Sequence, residues 1–177
     1  MRFSRIGARL AMGLLAATLL FARPVAAQIS DSKLGDRVAD AVRRCPSFSI
    51  FDDVTVGVSN RNVTINGWVT EPFKRDDITR RVNRVDGIRS LTNAIVVLPV
   101  SESDRALRQR LAKAIYGNSM FWRYASSANP PIHIIVEAGH VTLTGAVMDE
   151  NEKSFAFALA HVSGVISVKN ELRIDKD

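Results

Sequence analysis

Val63-Thr64-Ile65-Asn66-Gly67-Trp68-Val69, VTINGWV, decides the fold, because the chain repeats it seventy-eight positions later as VTLTGAV, from Val141 to Val147. In each copy apolar and polar residues alternate up to a glycine, Gly67 or Gly145. A half-buried strand that ends beside a tight turn has this pattern. A chain that carries the pattern twice reads as a tandem of one small module, and the elements on either side of the two strands support that.

In the first copy Leu34, Val38, Ala41, Val42 and Cys45 recur at three and four, so a helix is expected from Ser32 to Cys45, stopped by Pro46. Val54, Val56 and Val58 share one face of a strand, and Ser59 to Asn62 is a polar turn of residue types that tolerate left-handed backbone. That turn joins Val54–Val58 to Val63–Val69 as a hairpin. A second helix is expected from Glu71 to Asp86, with Thr70 as its cap, Pro72 in the first turn, an apolar stripe of Ile78, Val82 and Val85, and Gly87 past its end. A strand from Leu91 to Leu98 closes the unit before Pro99.

The second copy repeats the order. Ser101 to Asp104 reads as a capping box before a helix carrying Ala106, Leu107, Leu111, Ala114 and Ile115. Ile132, Ile134 and Val136 match the first strand, and Ala138 to His140 make the turn. Asp149 with Glu152 is a second capping box, opening a helix with Phe155, Leu159 and Val162 on one side. The last strand is expected from Ile166 to Ile174. Asn93 and Asn170 fall at the same place in the two closing strands. The linker, Pro99 to Ser101, is too short for independent tumbling. Each module alone is small enough that its core is marginal, so the two are expected to pack together.

Composition is ordinary for a globular protein: 177 residues, 46% apolar, 24 Lys plus Arg against 18 Asp plus Glu. The formal charge of +6 is concentrated at the start, where Arg2, Arg5, Arg9 and Arg23 are joined by no acid. The remainder holds 20 basic and 18 acidic residues, which argues against nucleic acid as a partner. Those arginines, the apolar run from Leu10 to Phe21, and Val25-Ala26-Ala27 form the three parts of a secretory leader, expected to be cleaved after Ala27. The alternative is an uncleaved amphipathic anchor. The single Cys, Cys45, lies too far along to carry a lipid after such a leader, so a lipoprotein is not expected. It reads instead as a small core residue.

NVTINGWV with GIRSLTNAIVV, and HVTLTGAV with GVISVKNELRI, resemble the BON domain, a small module of bacterial osmotic-stress and envelope proteins. The shared pattern is a strand ending in Val-x-Leu/Ile-x-Gly-x-Val, a helix, then Gly-Val/Ile and Val-x-Asn-x-Leu/Ile. The resemblance implies an α+β fold of two tandem α-β-β-α-β modules, over residues 32–99 and 101–175, each a three-stranded mixed sheet with two helices on one face. It also implies a non-catalytic role in binding phospholipid or envelope proteins, exported to the periplasm.

Features shared by two copies belong to the fold, and features of one copy are candidates for function. The second helix of copy one carries Lys74, Arg75, Arg80, Arg81 and Arg84, where copy two places Phe157, Ala158 and His161 against the last three. Such a cluster suits an anionic bilayer or an acidic partner, and the alternative is a solvated face neutralised by Asp76, Asp77 and Asp86. Copy two has an insertion of about nine residues containing Met120, Phe121, Trp122, Arg123 and Tyr124. Rings around a cation suit a bilayer interface, and the alternative is a loop folded over the neighbouring module. Trp68 reads as a packing residue, at the contact between modules. No phosphate loop, zinc-type cysteine pair or nucleophile elbow occurs. His133, His140 and His161 match no metal spacing, and Asp52-Asp53 and Asp149-Glu150 read as capping and solvated acids. No cofactor is expected. The leading expectation is a peripheral binder of anionic phospholipid, and the second is a protein-interaction module of the envelope.

Overall fold

The computed structural model describes residues 29–175, and the leader expected over residues 1–27 lies outside them. The first module runs α1 (Asp31–Arg43), β1 (Asp53–Ser59), β2 (Asn62–Val69), α2 (Pro72–Val82) and β3 (Ser90–Val97). The second runs α3 (Glu102–Tyr116), a 3-10 turn (Ser119–Phe121), the single-turn helix α4 (Trp122–Ala125), β4 (Ile132–Glu137), β5 (His140–Val147), α5 (Glu150–Leu159), β6 (Ser167–Asn170) and β7 (Arg173–Ile174). The chain is α+β, with two tandem modules of mixed sheet.

The repeated stretch is the central strand of each sheet. β2 lies between antiparallel β1 and parallel β3, and β5 between antiparallel β4 and parallel β6 and β7. Its branched aliphatic residues all point one way. Val63, Ile65 and Val69 are buried with Leu34, Val38 and Val42 of α1 and Ile78 and Val82 of α2. Val141, Leu143 and Val147 meet Leu107, Leu111, Ile115, Ala156 and Ala160 in the same way. Both helices of a module therefore cover one sheet face. The glycines are demanded by close approach. Gly67 has φ +126°, and a Cβ there would sit 2.0 Å from the Asp53 carbonyl oxygen; Gly145 has φ +101°, with the Pro131 oxygen at 1.9 Å.

The hairpin turns have both central residues left-handed, Asn60 (φ 51°) with Arg61 (φ 63°) and Ala138 (φ 48°) with Gly139 (φ 79°). Such a turn matches the strand twist but aims two N–H groups away from the ladder. In module one both donate to the Asp31 carboxylate, at 2.6 and 2.9 Å. In module two the Ala138 and Gly139 N–H groups donate to Asp104, each at 2.9 Å. Asp104 therefore serves the hairpin, while Ser101 alone caps α3. The clamping acids are 73 positions apart and the turns 78, so the net insertion in copy two is five residues rather than nine. Copy one's own connection, from Arg44 to Asp52, is itself long.

Several boundaries differ from expectation for identifiable reasons. α2 ends at Val82 and its N-cap is Glu71, because the Thr70 amide and hydroxyl both donate to Asp52, at 2.8 and 3.0 Å. The last strand is split. Asn170 turns its side-chain oxygen onto the Leu172 N–H at 3.2 Å, and β7 then resumes the register of β6. Asn93 makes the same bond to the Ile95 N–H at 2.9 Å without breaking β3, so the shared Asn is a device of the fold.

The modules touch through the segment before β1. Ile50 and Phe51 pack against the second core. The Ile134 N–H donates to the Ile50 carbonyl at 2.7 Å, and the Phe48 ring lies 5.6 Å from that of His133. Trp68 lines a shallow depression on the sheet face away from the helices, beside Asn66, Ala94 and Val96.

Gly67→Ala or Gly145→Ala should cost about 2–4 kcal/mol in urea denaturation, since a Cβ collides with neighbouring backbone at positive φ. Gly57→Ala, whose Cβ would meet only the Thr64 oxygen at 3.9 Å, should stay within about 1 kcal/mol. Equal effects at the two kinds of site would contradict the close-approach account.

Candidate binding surfaces

The basic set on α2 does not form one surface. Lys74 is 8% exposed, and its ammonium donates at 2.7 Å to Asp52, which is fully buried. Lys74 precedes Ile78 and Val82 at helical spacing, so its stem faces the core and it is withdrawn from any surface. Asp52 is correspondingly a buried hub that also accepts from the Ser49 amide and hydroxyl, at 2.8 and 2.7 Å, and from Thr70. Arg75 lies 3.7 Å from Asp76 and is about 140° around the helix from Arg80. Arg80 and Arg81 share Asp77, at 3.1 and 3.4 Å. Arg84, in the turn after α2, is exposed and has no ion-pair partner among the described residues.

Phe73 and Arg80, seven apart, share the outward side of α2 with Asp76, and Arg84 follows in the turn beyond the helix. Phe73 is 58% exposed. It was absent from the residues picked out by sequence, although its spacing from Arg80 could have found it. Asp77, on the flank toward α1, is held below its ordinary pKa first by the Cys45 thiol donating at 2.9 Å, then by Arg80 and Arg81, with loss of water opposing. Cys45 itself is buried in the first core. The helix register is fixed by the buried pairs Ile78 with Ala156 and Val82 with Ala160. It sets Ala158, Leu159 and Val162 opposite Arg80, Arg81 and Arg84, one position along from the sequence alignment, and the cations remain without counterparts.

The aromatic insertion closes on its own module, neither reaching into solvent as a whole nor covering the neighbour. Phe121 is fully buried, with the Tyr124 and Phe155 rings at 6.1 and 6.2 Å. The Tyr124 hydroxyl donates to Glu152 at 2.7 Å, Arg123 bonds the same carboxylate, and the Arg123 guanidinium lies 4.8 Å over the Tyr124 ring. Trp122, 72% exposed, stays at the surface with Met120. Glu152 also accepts the Met148 N–H at 3.0 Å, which replaces the reciprocal bond of a capping box. Glu152 stands at the place of Lys74, so each module has an ion pair at the start of its second helix with the signs reversed.

Four of the six outward main-chain groups of the β4 edge are engaged. The six belong to Ile132, Ile134 and Val136. The Tyr116 hydroxyl bonds the Ile132 carbonyl and accepts its N–H at 3.1 Å, and Arg108 donates to the Val136 carbonyl at 2.6 Å. Burial drives the Tyr116 phenol upward and lowers the Arg108 pKa. The Ile134 N–H is taken by Ile50. Among the described residues no group of His, Cys, Asp and Glu is placed to hold a metal, and no helix is long and apolar enough to cross a membrane. His140 pairs with Ser167 at 2.7 Å, and His161 with the Phe157 carbonyl at 2.8 Å.

A family profile described as "BON domain" matches residues 30–99 and again 103–176. No curated protein matches the chain. Two solved structures of CdsD, a structural protein of the type III secretion system of Chlamydia trachomatis, are similar at 14% and 15% identity, with TM-scores of 0.35 and 0.34. The similarity covers 83% and 84% of this chain and 68% and 65% of those chains.

Asp52→Ala leaves a buried ammonium without its partner and should cost about 3–5 kcal/mol, whereas Asp52→Ala with Lys74→Met should recover only the part due to the ammonium, the Ser49 and Thr70 donors still lacking their acceptor. Denaturant midpoints check both, and a loss under about 1 kcal/mol for the single change would refute the buried pair. Asp77 titrates lower in the folded chain than its ordinary 3.8. Its contribution is therefore present above that value and lost as pH falls through the lowered one. Asp77→Asn should flatten stability against pH below about pH 4.

Proposed function

Because the chain belongs to the BON-domain family, a non-catalytic family associated with envelope and osmotic-stress proteins, we propose that it is a non-catalytic periplasmic protein that docks peripherally on anionic phospholipid. The observation that supports this reading is the outward side of α2, where exposed Phe73 stands in line with Arg80, with exposed Arg84 in the turn beyond. An exposed Phe can bury at the boundary between headgroups and acyl chains, and a guanidinium beside it meets phosphate. Asp76 and Asp77 flank this line, Arg75 lies off it, and Trp122 with half-exposed Arg123 offers a second contact on module two.

The magnitudes point to weak, reversible docking. Each basic residue near an anionic surface is worth about 1 kcal/mol, and Arg80 already shares Asp77. Such an interaction falls with salt as the Debye length shrinks.

The chain from Gln28 onward should sediment with anionic vesicles and much less with zwitterionic ones, with binding lost at high salt. Arg80→Glu with Arg84→Glu should weaken it tenfold or more, and Phe73→Ala or Trp122→Ala severalfold at low salt. Failure to bind any vesicle would remove phospholipid as the ligand and leave a protein partner of the envelope.

A further inference from the structure

The two modules differ at one place that neither family membership nor membrane docking explains. In β1, as in β4, alternate residues turn their main-chain groups outward. Ser59 pairs with Asn62 across the two-residue turn, so the outward groups of β1 belong to Val54, Val56 and Val58. Of the six equivalent groups of β4, four are occupied, by Tyr116, Arg108 and Ile50. In β1 none of the outward N–H and C=O groups has a partner among the described residues.

The cause lies in α1. Helix residues four apart rise about 6 Å, and strand residues two apart rise about 6.6 Å, so one helix row tracks a strand edge. In α3 that row is Asp104, Arg108, Ala112, Tyr116; in α1 it is Asp31, Gly35, Ala39, Arg43. Where module two has an Arg that closes the edge, module one has Gly35, 3.6 Å from the Val58 side chain when a Cβ is added. The result is a groove of about 880 Å³ along the β1 edge, walled by Gly35 and Ala39 on one side and by His133 and Thr144 of module two on the other.

We propose that this groove takes an extended peptide segment of another protein, which adds to β1 as a fourth strand and carries basic side chains alternating with apolar ones. An open edge supplies main-chain hydrogen bonds to any extended segment. A folded second copy could not lower its own sheet edge between two walls, whereas a single strand can enter. Alternation follows from the pleat: one set of side chains meets Gly35, Ala39 and Val42, and the other lies beside Asp53 on the opposite face, with Asp36 at the rim. Asp36 and Asp53 have no ion-pair or hydrogen-bond partner among the described residues. Of the other charged groups lining the groove, Asp31 is committed to the turn and Arg43 to Asp40, while Glu171 pairs with Lys169 and Arg173 lies on the far wall.

The test uses a blocked hexapeptide of alternating Val and Lys, its Val and Glu counterpart, and the protein with isotope-labelled amides. The basic peptide should bind saturably and shift the Val54, Val56 and Val58 amides, with the acidic peptide at least tenfold weaker. Gly35→Arg installs the residue that module two uses and should reduce binding tenfold or more while raising helix propensity. Val56→Pro removes an outward N–H on an edge strand, together with some packing of Val56 on the first core, and in protein shown to remain folded by its amide spectrum should weaken binding similarly. Asp36→Lys with Asp53→Lys should invert the charge preference. Absence of saturable binding, indifference to Gly35→Arg and Val56→Pro, or equal affinity for both peptides would overturn the proposal. Concentration-dependent dimerisation abolished by Gly35→Arg would also overturn it, and would assign the edge to a second copy.

Discussion

Two carboxylates, Asp31 and Asp104, set the geometry on which the rest of each module depends. Each takes both N–H groups of a left-handed hairpin turn, a charge-assisted contact that satisfies two donors the ladder cannot reach. It fixes the start of the first helix at the hairpin tip, so the helix must run back along the outer strand. Which side chain meets which edge group is then decided by the spacing of the helix row. The same frame yields a closed edge in one module and an open one in the other, because Arg108 and Tyr116 of α3 correspond to Gly35 and Arg43 of α1.

Closure of β4 is also what joins the modules. Ile50 supplies a carbonyl to the β4 edge and, with Phe51, packs on the second core. The bond between modules is therefore of the same kind as the bonds within a sheet. A module of this size buries a marginal core, so the second module gains apolar cover from a segment that belongs, in sequence, to the first.

Much of this architecture was legible in the chain. Strand alternation around Gly67 and Gly145, the turn at Ser59 to Asn62 and the matched Asn93 and Asn170 each reflect a local rule with a period or a backbone requirement. The surfaces were less so, because burial of a polar or aromatic side chain depends on a partner remote in sequence. Lys74 looked like a member of a basic cluster until Asp52, 22 positions earlier, was found against it. Phe121 and Tyr124 have the composition of an interfacial loop, yet Phe155 and Glu152, far along the chain, draw them inward. No local pattern distinguishes a closed strand edge from an open one, and the contrast between Arg108 and Gly35 acquires meaning only once the helix row is laid against the strand.

The reversed ion pairs have a consequence for assembly. Tandem copies of one fold are prone to exchange equivalent elements while folding. Here an exchange of the second helices would set Glu152 against buried Asp52 and Lys74 against half-exposed Arg123, like charges that oppose the exchange most strongly at the buried Asp52 site. Opposite polarity thus biases each module toward its own helix.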